Sequence, residues 1–185
     1  MSTKTQREKM LLGEEYIAFD EELTKMRQRS FSATMKFNTS GDKKYIEEIF
    51  SRKFENFTIN PPFYCDYGEN IEIGKNVFIN FNCSVLSCAK VTIGDNCYIG
   101  PNVQIYTAQH PLEPKKRSKG INMAKPIKIG KDCWLGGGVI VLAGVEIGDG
   151  TTIGAGSVVT KNIPKNCIAA GNPCRVIRYL DNKNS

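Results

Sequence analysis

From Ile73 to Ile163 an aliphatic residue returns at every sixth position, and this ladder restricts what the chain can fold into more than any other feature. Read in sixes it runs IGKNVF, INFNCS, VLSCAK and, after a slip of two residues, IGDNCY and IGPNVQ, with a further start at Ile105. It resumes at Ile129 as IGKDCW, LGGGVI, VLAGVE, IGDGTT, IGAGSV and VTKNIP. A helix repeats its apolar face about every 3.6 residues and a strand about every 2, so a strict six with two inward positions needs corners. The first position (Ile73, Ile79, Ile93, Ile99, Ile129, Leu135, Ile147, Ile153) is large, and the second is often glycine. The fifth (Val77, Cys83, Cys97, Cys133, Thr151, Ser157) is small to medium. Fifth and first positions stand two apart and share a face. The pattern predicts short strands alternating with tight turns, the glycines supplying the turn dihedrals, and three hexads closing each triangular coil. Coils then stack by backbone hydrogen bonds about 4.8 Å apart.

Length and cysteine usage narrow the class further. The 185 residues suffice for one domain with a modest attachment. The seven cysteines are odd in number, and three occupy fifth positions where a small buried group belongs. They read as reduced packing residues, with no disulfide framework and no CxxC pair for zinc. The opening MSTKTQREKMLL carries no signal-peptide run, and the apolar stretch WLGGGVIVLAGV is too short to span a bilayer. A cytoplasmic protein without membrane attachment is expected.

The net charge of +6 is concentrated in two places. Residues 111–130 hold six Lys and Arg against one acid, and residues 161–185 hold five against one. Such clusters are either a solvated basic face or a place where something anionic binds, and with no nucleic-acid motif and no interleaved aromatics DNA or RNA is disfavoured.

Ahead of the ladder, Thr3 to about Met35 mixes Met10, Leu11, Tyr16, Phe19, Leu23 and Met26 with polar residues at helical spacing, which fits one or two helices. A break at NTSGD precedes a helix over KKYIEEIFSRKF, capped by Ser40 or Asp42 and presenting Tyr45, Ile49 and Phe50. Within the ladder, residues 106–126 leave the scaffold as a long loop containing His110, the only histidine. An interruption of this length in a compact domain is functional or disordered. Trp134, the only tryptophan, stands at an outward sixth position, as an interface or ligand wall would require.

The hexads, the helical preface, FYCDYG, NFN, IYTAQHP and AAGNPCRVIR together resemble the hexapeptide-repeat sugar O-acetyltransferases, the maltose and galactoside acetyltransferases. The resemblance covers nearly the whole chain. It implies a mainly β fold, a left-handed parallel β-helix over residues 59–185, with an α-helical extension over residues 1–58, the excursion loop, and a C-terminal tail that binds coenzyme A. It implies transfer of an acetyl group from acetyl-CoA directly to a sugar hydroxyl in a ternary complex, without a metal. His110 would be the general base. Asn80, Asp66 and Arg27 would contact the acceptor. Trp134, Gly137, Ala155, Thr160, Lys161, Arg175 and Arg178 would contact the cofactor, the Gly137 N–H also facing the oxyanion. The family is trimeric, which implies a homotrimer in which His110 works with Trp134 of a neighbour.

Galactoside-type members carry aspartates where this chain has Ala18 and Cys88, so the maltose or glucose branch fits better, with Asp20 as a displaced carboxylate. Three other readings stand beside this one: an antibiotic O-acetyltransferase, which the helical preface disfavours; a non-catalytic β-helix scaffold; and an acetyl-cysteine mechanism through Cys65, Cys88 or Cys174, for which the sequence offers no activating base. A γ-type carbonic anhydrase needs three histidines and is excluded.

Overall fold

The computed structural model describes residues 4–50 and 55–180. The ladder forms a stack of triangular coils whose flanks are sheets of seven, five and four strands. Pairing within the stack is parallel except for the antiparallel edge strand Arg175–Tyr179, and register runs straight down it. Ile79 pairs with Ile99, Ile99 with Leu135 and Leu135 with Ile153. All the first- and fifth-position residues named above are buried. Each large aliphatic removed from water contributes about 1.5–3 kcal/mol, and these columns form one continuous core.

The corners are built differently from the expectation. Left-handed φ angles fall at the fourth position of the hexad, on Asn76, Asn82, Asn96, Asn102 and Asp132, then on Gly138, Gly144, Gly150 and Gly156. Short polar side chains tolerate this region because they hydrogen-bond locally. The second-position glycines lie outside it and serve clearance instead. A Cβ on Gly94 would stand 2.6 Å from Lys131 N, and one on Gly100 the same distance from Gly137 N, because the next coil's backbone passes there.

The fifth position proves to be a donor column as well as a packing column. Cys83, Cys97 and Cys133 point their thiols at Gly100 O (3.2 Å), Gly130 O (3.0 Å) and Gly148 O (3.2 Å) of the following coil. Thr151 Oγ1 does the same to Pro164 O at 2.8 Å. All seven cysteines are free and buried.

Three described helices precede the stack, two in the stretch where one or two were expected and a third where a separate helix was expected. Helix α1 (Gln6–Leu11) starts in a capping box between Thr5 and Glu8. Helix α2 (Glu21–Ser40) is capped by Asp20, whose carboxylate accepts from Leu23 N at 3.2 Å, and is closed by Gly41 at φ 69°. It runs through Asn38–Ser40, so the break falls later than expected. Helix α3 (Lys43–Phe50) follows Asp42, whose Oδ1 accepts from Lys44 N at 3.0 Å. It buries Ile46, Ile49 and Phe50. The expected helix start at Thr3 and its continuation over residues 51–54 lie outside the described residues. Asn38 docks α2 on the stack by donating to Phe63 O (2.9 Å) and accepting from Phe63 N (2.8 Å), as a neighbouring strand would. Of the predicted apolar set, Met10, Tyr16 and Leu23 are buried, whereas Leu11 and Phe19 are exposed.

One corner of the prism, between the five- and four-stranded flanks, varies in length from coil to coil. The same gap is spanned by residues 66–70, 86–90, 106–126 and 142–144 in successive coils. The long excursion is ordered. Ala108–Gln109 pairs antiparallel with Met123–Ala124, helix α4 (Pro114–Arg117) turns the chain, and Ile121–Asn122 pairs with Tyr16–Ile17 of the preface.

Candidate active site

Because three coils turn at that corner and the preface lies over it, segments far apart in sequence meet there. They enclose a cavity of about 460 Å³ lined by Tyr16, Ala18, Phe19 and Arg27 from the preface. Asp66, Tyr67, Leu86 and Cys88 come from the prism corners, and Ala108, His110, Arg117, Ser118, Gly120 and Asn122 from the excursion.

Asp66 is the carboxylate of this cavity. Its Oδ1 accepts from Tyr67 N (2.8 Å), Ser87 N (2.6 Å) and Ser87 Oγ (3.2 Å), and its Oδ2 from the Cys88 thiol at 3.5 Å. Burial raises its pKa against the opposing pull of these donors. Burial also pushes the Cys88 thiol up to about 12, reinforced by the Asp66 charge, and raises Tyr16 beside it. Arg27 donates to Tyr67 OH and, at 3.0 Å, to Thr24 Oγ1, and its guanidinium lies 5.7 Å from the Tyr67 ring centre. Burial takes Tyr67 to about 12 even so, with Arg27 opposing the rise. Arg27 has no carboxylate partner among the described residues, so its charge is directed to the cavity and the phenol. Arg117 is held by the carbonyls of Pro111 (3.1 Å) and Leu112 (3.2 Å), which fixes the loop around the exposed His110.

A second cavity, of about 370 Å³, lies on the seven-stranded flank. Asn80, Trp134, Gly137 and Ala155 line it together with Phe78, Tyr98 and the Gly136 and Gly154 corners. Trp134 is 57% exposed and pairs in register with Tyr98, itself 60% exposed, whose ring lies 6.4 Å from that of Phe78. Sequence reasoning singled out Trp134 and missed the other two, although Phe78 and Tyr98 occupy the same sixth position of their hexads. The outward column is legible once the period is known.

The backbone of this cavity carries free donors. At several third positions side chains accept from the backbone N–H: Asp95 from Lys75 N at 2.7 Å, Asp149 from Lys131 N at 3.0 Å, and Asn80 Oδ1 from Phe81 N at 2.9 Å. Among the described residues nothing accepts from Gly137 N, while Gly136 N and Gly138 N go to Ile153 O and Pro101 O at 2.8 Å each.

The predicted site residues thus fall into three groups within one chain. His110, Asp66 and Arg27 line the first cavity. Asn80, Trp134, Gly137 and Ala155 line the second. Thr160, Lys161, Arg175 and Arg178 are exposed and line neither; the two arginines sit on the edge strand Arg175–Tyr179, antiparallel to Cys167–Ala170. Lys161, Arg175 and Arg178 enter no ion pair among the described residues. The loop cations, by contrast, are partly engaged locally, Lys116 with Glu15 at 3.0 Å. Asp20 is spent on capping α2 and does not line the first cavity, so it does not supply the carboxylate absent at Ala18 and Cys88. Tyr16, Phe19, Leu86 and Asn122 join this cavity through tertiary pairing alone.

Comparison with known proteins matches the repeat and the helical preface over nearly the whole chain. Residues 9–55 match the maltose acetyltransferase hexapeptide capping motif, residues 70–106 the hexapeptide repeat of succinyl-transferase, and residues 126–161 the bacterial transferase hexapeptide of six repeats. A maltose O-acetyltransferase from Clostridium difficile superposes with a TM-score of 0.94 at 44% identity, covering 97% of this chain and all of that one. A galactoside acetyltransferase solved with coenzyme A gives 0.92 at 38% identity, covering 98% and 94%. A hexapeptide-repeat acetyltransferase from Vibrio cholerae, solved with acetyl coenzyme A, gives 0.90 at 35% identity, covering 97% and 100%. The ladder, its capping helices and its left-handed β-helix are those of one group of enzymes, and the chain belongs to the hexapeptide-repeat acetyltransferases of the maltose and galactoside type.

Proposed function

We propose that this acyltransferase moves an acetyl group from acetyl-CoA directly to a hydroxyl of a maltose- or glucose-type sugar. The observation that carries this reading is the ordered loop presenting the only histidine beside Arg27 and Asp66 at a cavity large enough for a sugar. His110 takes the acceptor hydroxyl proton as the oxygen attacks the thioester carbonyl. The tetrahedral oxyanion is met by the free Gly137 N–H, the C–S bond breaks, and the imidazolium returns the proton to the departing thiolate. Arg27 and Asp66 hold sugar hydroxyls. Asn80 offers a carboxamide beside the reacting oxygen.

Acetyl-CoA lies along the second cavity, its thioester arm against Trp134, Gly137 and Ala155. Its phosphates run toward Thr160, a neutral hydrogen-bond donor, and toward Lys161, Arg175 and Arg178, whose charges are free to meet them. Because the two cavities are separate in one chain, we infer a homotrimer in which one subunit's first cavity meets its neighbour's second. Residues 1–58 form the acceptor-side extension and residues 59–185 the transferase body. Seven free thiols accord with a cytoplasmic setting.

The test is thiol release from acetyl-CoA with a panel of glucose, maltose, galactosides and an antibiotic alcohol, with His110→Ala in parallel. Turnover with glucose or maltose, lost by about 10²–10⁴ in the variant while CoA still binds, is the expected result. Turnover only with the antibiotic, or none with any acceptor and no CoA binding, overturns the reading.

A further inference from the structure

Phe19 is 80% exposed, yet its position is fixed from both sides. Before it, Ala18 N donates to Gly120 O at 3.1 Å, continuing the pairing of Tyr16–Ile17 with the excursion. After it, Asp20 caps α2 through Leu23 N. The ring itself rests on Gly120, where a Cβ would stand 2.7 Å from the Phe19 Cε2. Gly120 has φ +73°, so both its backbone and the ring above it favour glycine. A large apolar ring is thereby held open to solvent at the rim of the first cavity, in a place where nothing in the fold of the chain requires it.

A pyranose has an apolar face of C–H bonds, and a rigid aromatic ring is the side chain that receives such a face at little entropic cost. The cavity's half-buried Arg27 and Asp66, with the exposed His110, supply the polar groups that a first sugar ring needs. Phe19 lies outside them, continuous with the same wall through Ala18. We propose that Phe19, seated on Gly120, is an outer subsite that stacks on a second sugar ring, so that the chain prefers disaccharide or longer acceptors to monosaccharides. This inference rests on the sugar-acetylating reading above.

The test compares kcat/KM for maltose and for glucose, by thiol release, in the wild type and in Phe19→Ala, Phe19→Trp and Gly120→Ala. The maltose-to-glucose ratio is expected to fall roughly tenfold in Phe19→Ala, to fall in the same direction in Gly120→Ala as the ring is pushed off its seat, and to survive in Phe19→Trp. An unchanged ratio in Phe19→Ala overturns the subsite. So does a change in its sedimenting mass, which would make the ring a subunit contact. Failure of the wild type to turn over either sugar would remove the underlying reading as well, and is distinguished from the unchanged ratio by the absence of any activity.

Discussion

Ser87 gives two hydrogen bonds to one oxygen of Asp66, from its N–H at 2.6 Å and from its hydroxyl at 3.2 Å. The carboxylate thus ties together corners of two successive coils before any acceptor arrives. Asp66→Ala leaves these donors without an acceptor and is expected to lower stability by about 1–3 kcal/mol in urea unfolding. Asp66→Asn keeps the accepting oxygen and is expected to unfold near the wild-type midpoint, while losing acceptor affinity.

The same residue gives a pH signature. Its folded pKa is raised above the ordinary carboxylate value by burial, so the folded state holds the proton longer than the unfolded state. Stability therefore declines as pH rises from the ordinary carboxylate range through the folded pKa, and the decline is complete above it. Relative to Asp66→Asn, the wild type should lose stability over that window when unfolding is measured as a function of pH. A difference that stays flat, or that grows in the opposite direction, would contradict the assignment.

Two kinds of glycine should respond differently to alanine. In Gly94→Ala the new methyl meets the backbone of the next coil, and a loss of about 3 kcal/mol or more is expected. At Gly156 nothing lies within 4 Å, so Gly156→Ala carries only the left-handed backbone penalty of about 1–2 kcal/mol. Gly156→Asn should recover part of that loss, because asparagine already holds the equivalent turn at Asn76 and Asn96. Urea midpoints of the three variants decide it.

If catalysis joins the first cavity of one subunit to the second cavity of its neighbour, two inactive variants can complement each other. His110→Ala and Trp134→Ala, unfolded together and refolded as a mixture, should form intact sites at about a quarter of interfaces by random assortment. Thiol release at that level is the expected outcome. A mixture as inactive as its components would place both residues in one subunit's site.

All seven thiols are buried; burial raises Cys83 to about 11 and Cys88 to about 12, while Cys133, lowered by its hydrogen bond with Cys97, is shielded by being only 1% exposed. A thiol-exchange reagent at mildly alkaline pH should therefore find no reactive cysteine in the native protein and all seven after denaturation. Rapid native modification of Cys65, Cys88 or Cys174 would revive the acetyl-cysteine mechanism.

The stack was legible in the sequence because its physics is periodic. Ile79, Ile99 and Leu135 are inward for one reason repeated, and the period also placed Cys83 and Thr151 on the same inner face. The turn chemistry was misread because glycine suggests φ freedom first, whereas at Gly94 and Gly100 the constraint is a neighbouring backbone that only the stacked structure brings near. The site was legible in part. His110 and Trp134 stood out as single residues at irregular or outward positions. In sequence Tyr16 and Phe19 fit a helical pattern and Asn122 a loop, whereas the antiparallel pairing of Tyr16–Ile17 with Ile121–Asn122, over a hundred residues apart in sequence, is what brings this stretch to the cavity.

The corner whose length changes from coil to coil has a consequence for how such a protein acquires new substrates. The registers of Cys65, Val85, Ile105 and Val141 are unaffected whether three residues or twenty-one follow before the next strand. Insertion there costs little loop-closure entropy and leaves the core untouched. Evolution can lengthen, shorten or exchange the segment that carries His110 and Arg117 while the hexads remain as they are. The prism thus acts as a fixed spine that carries segments of very different length at a single edge.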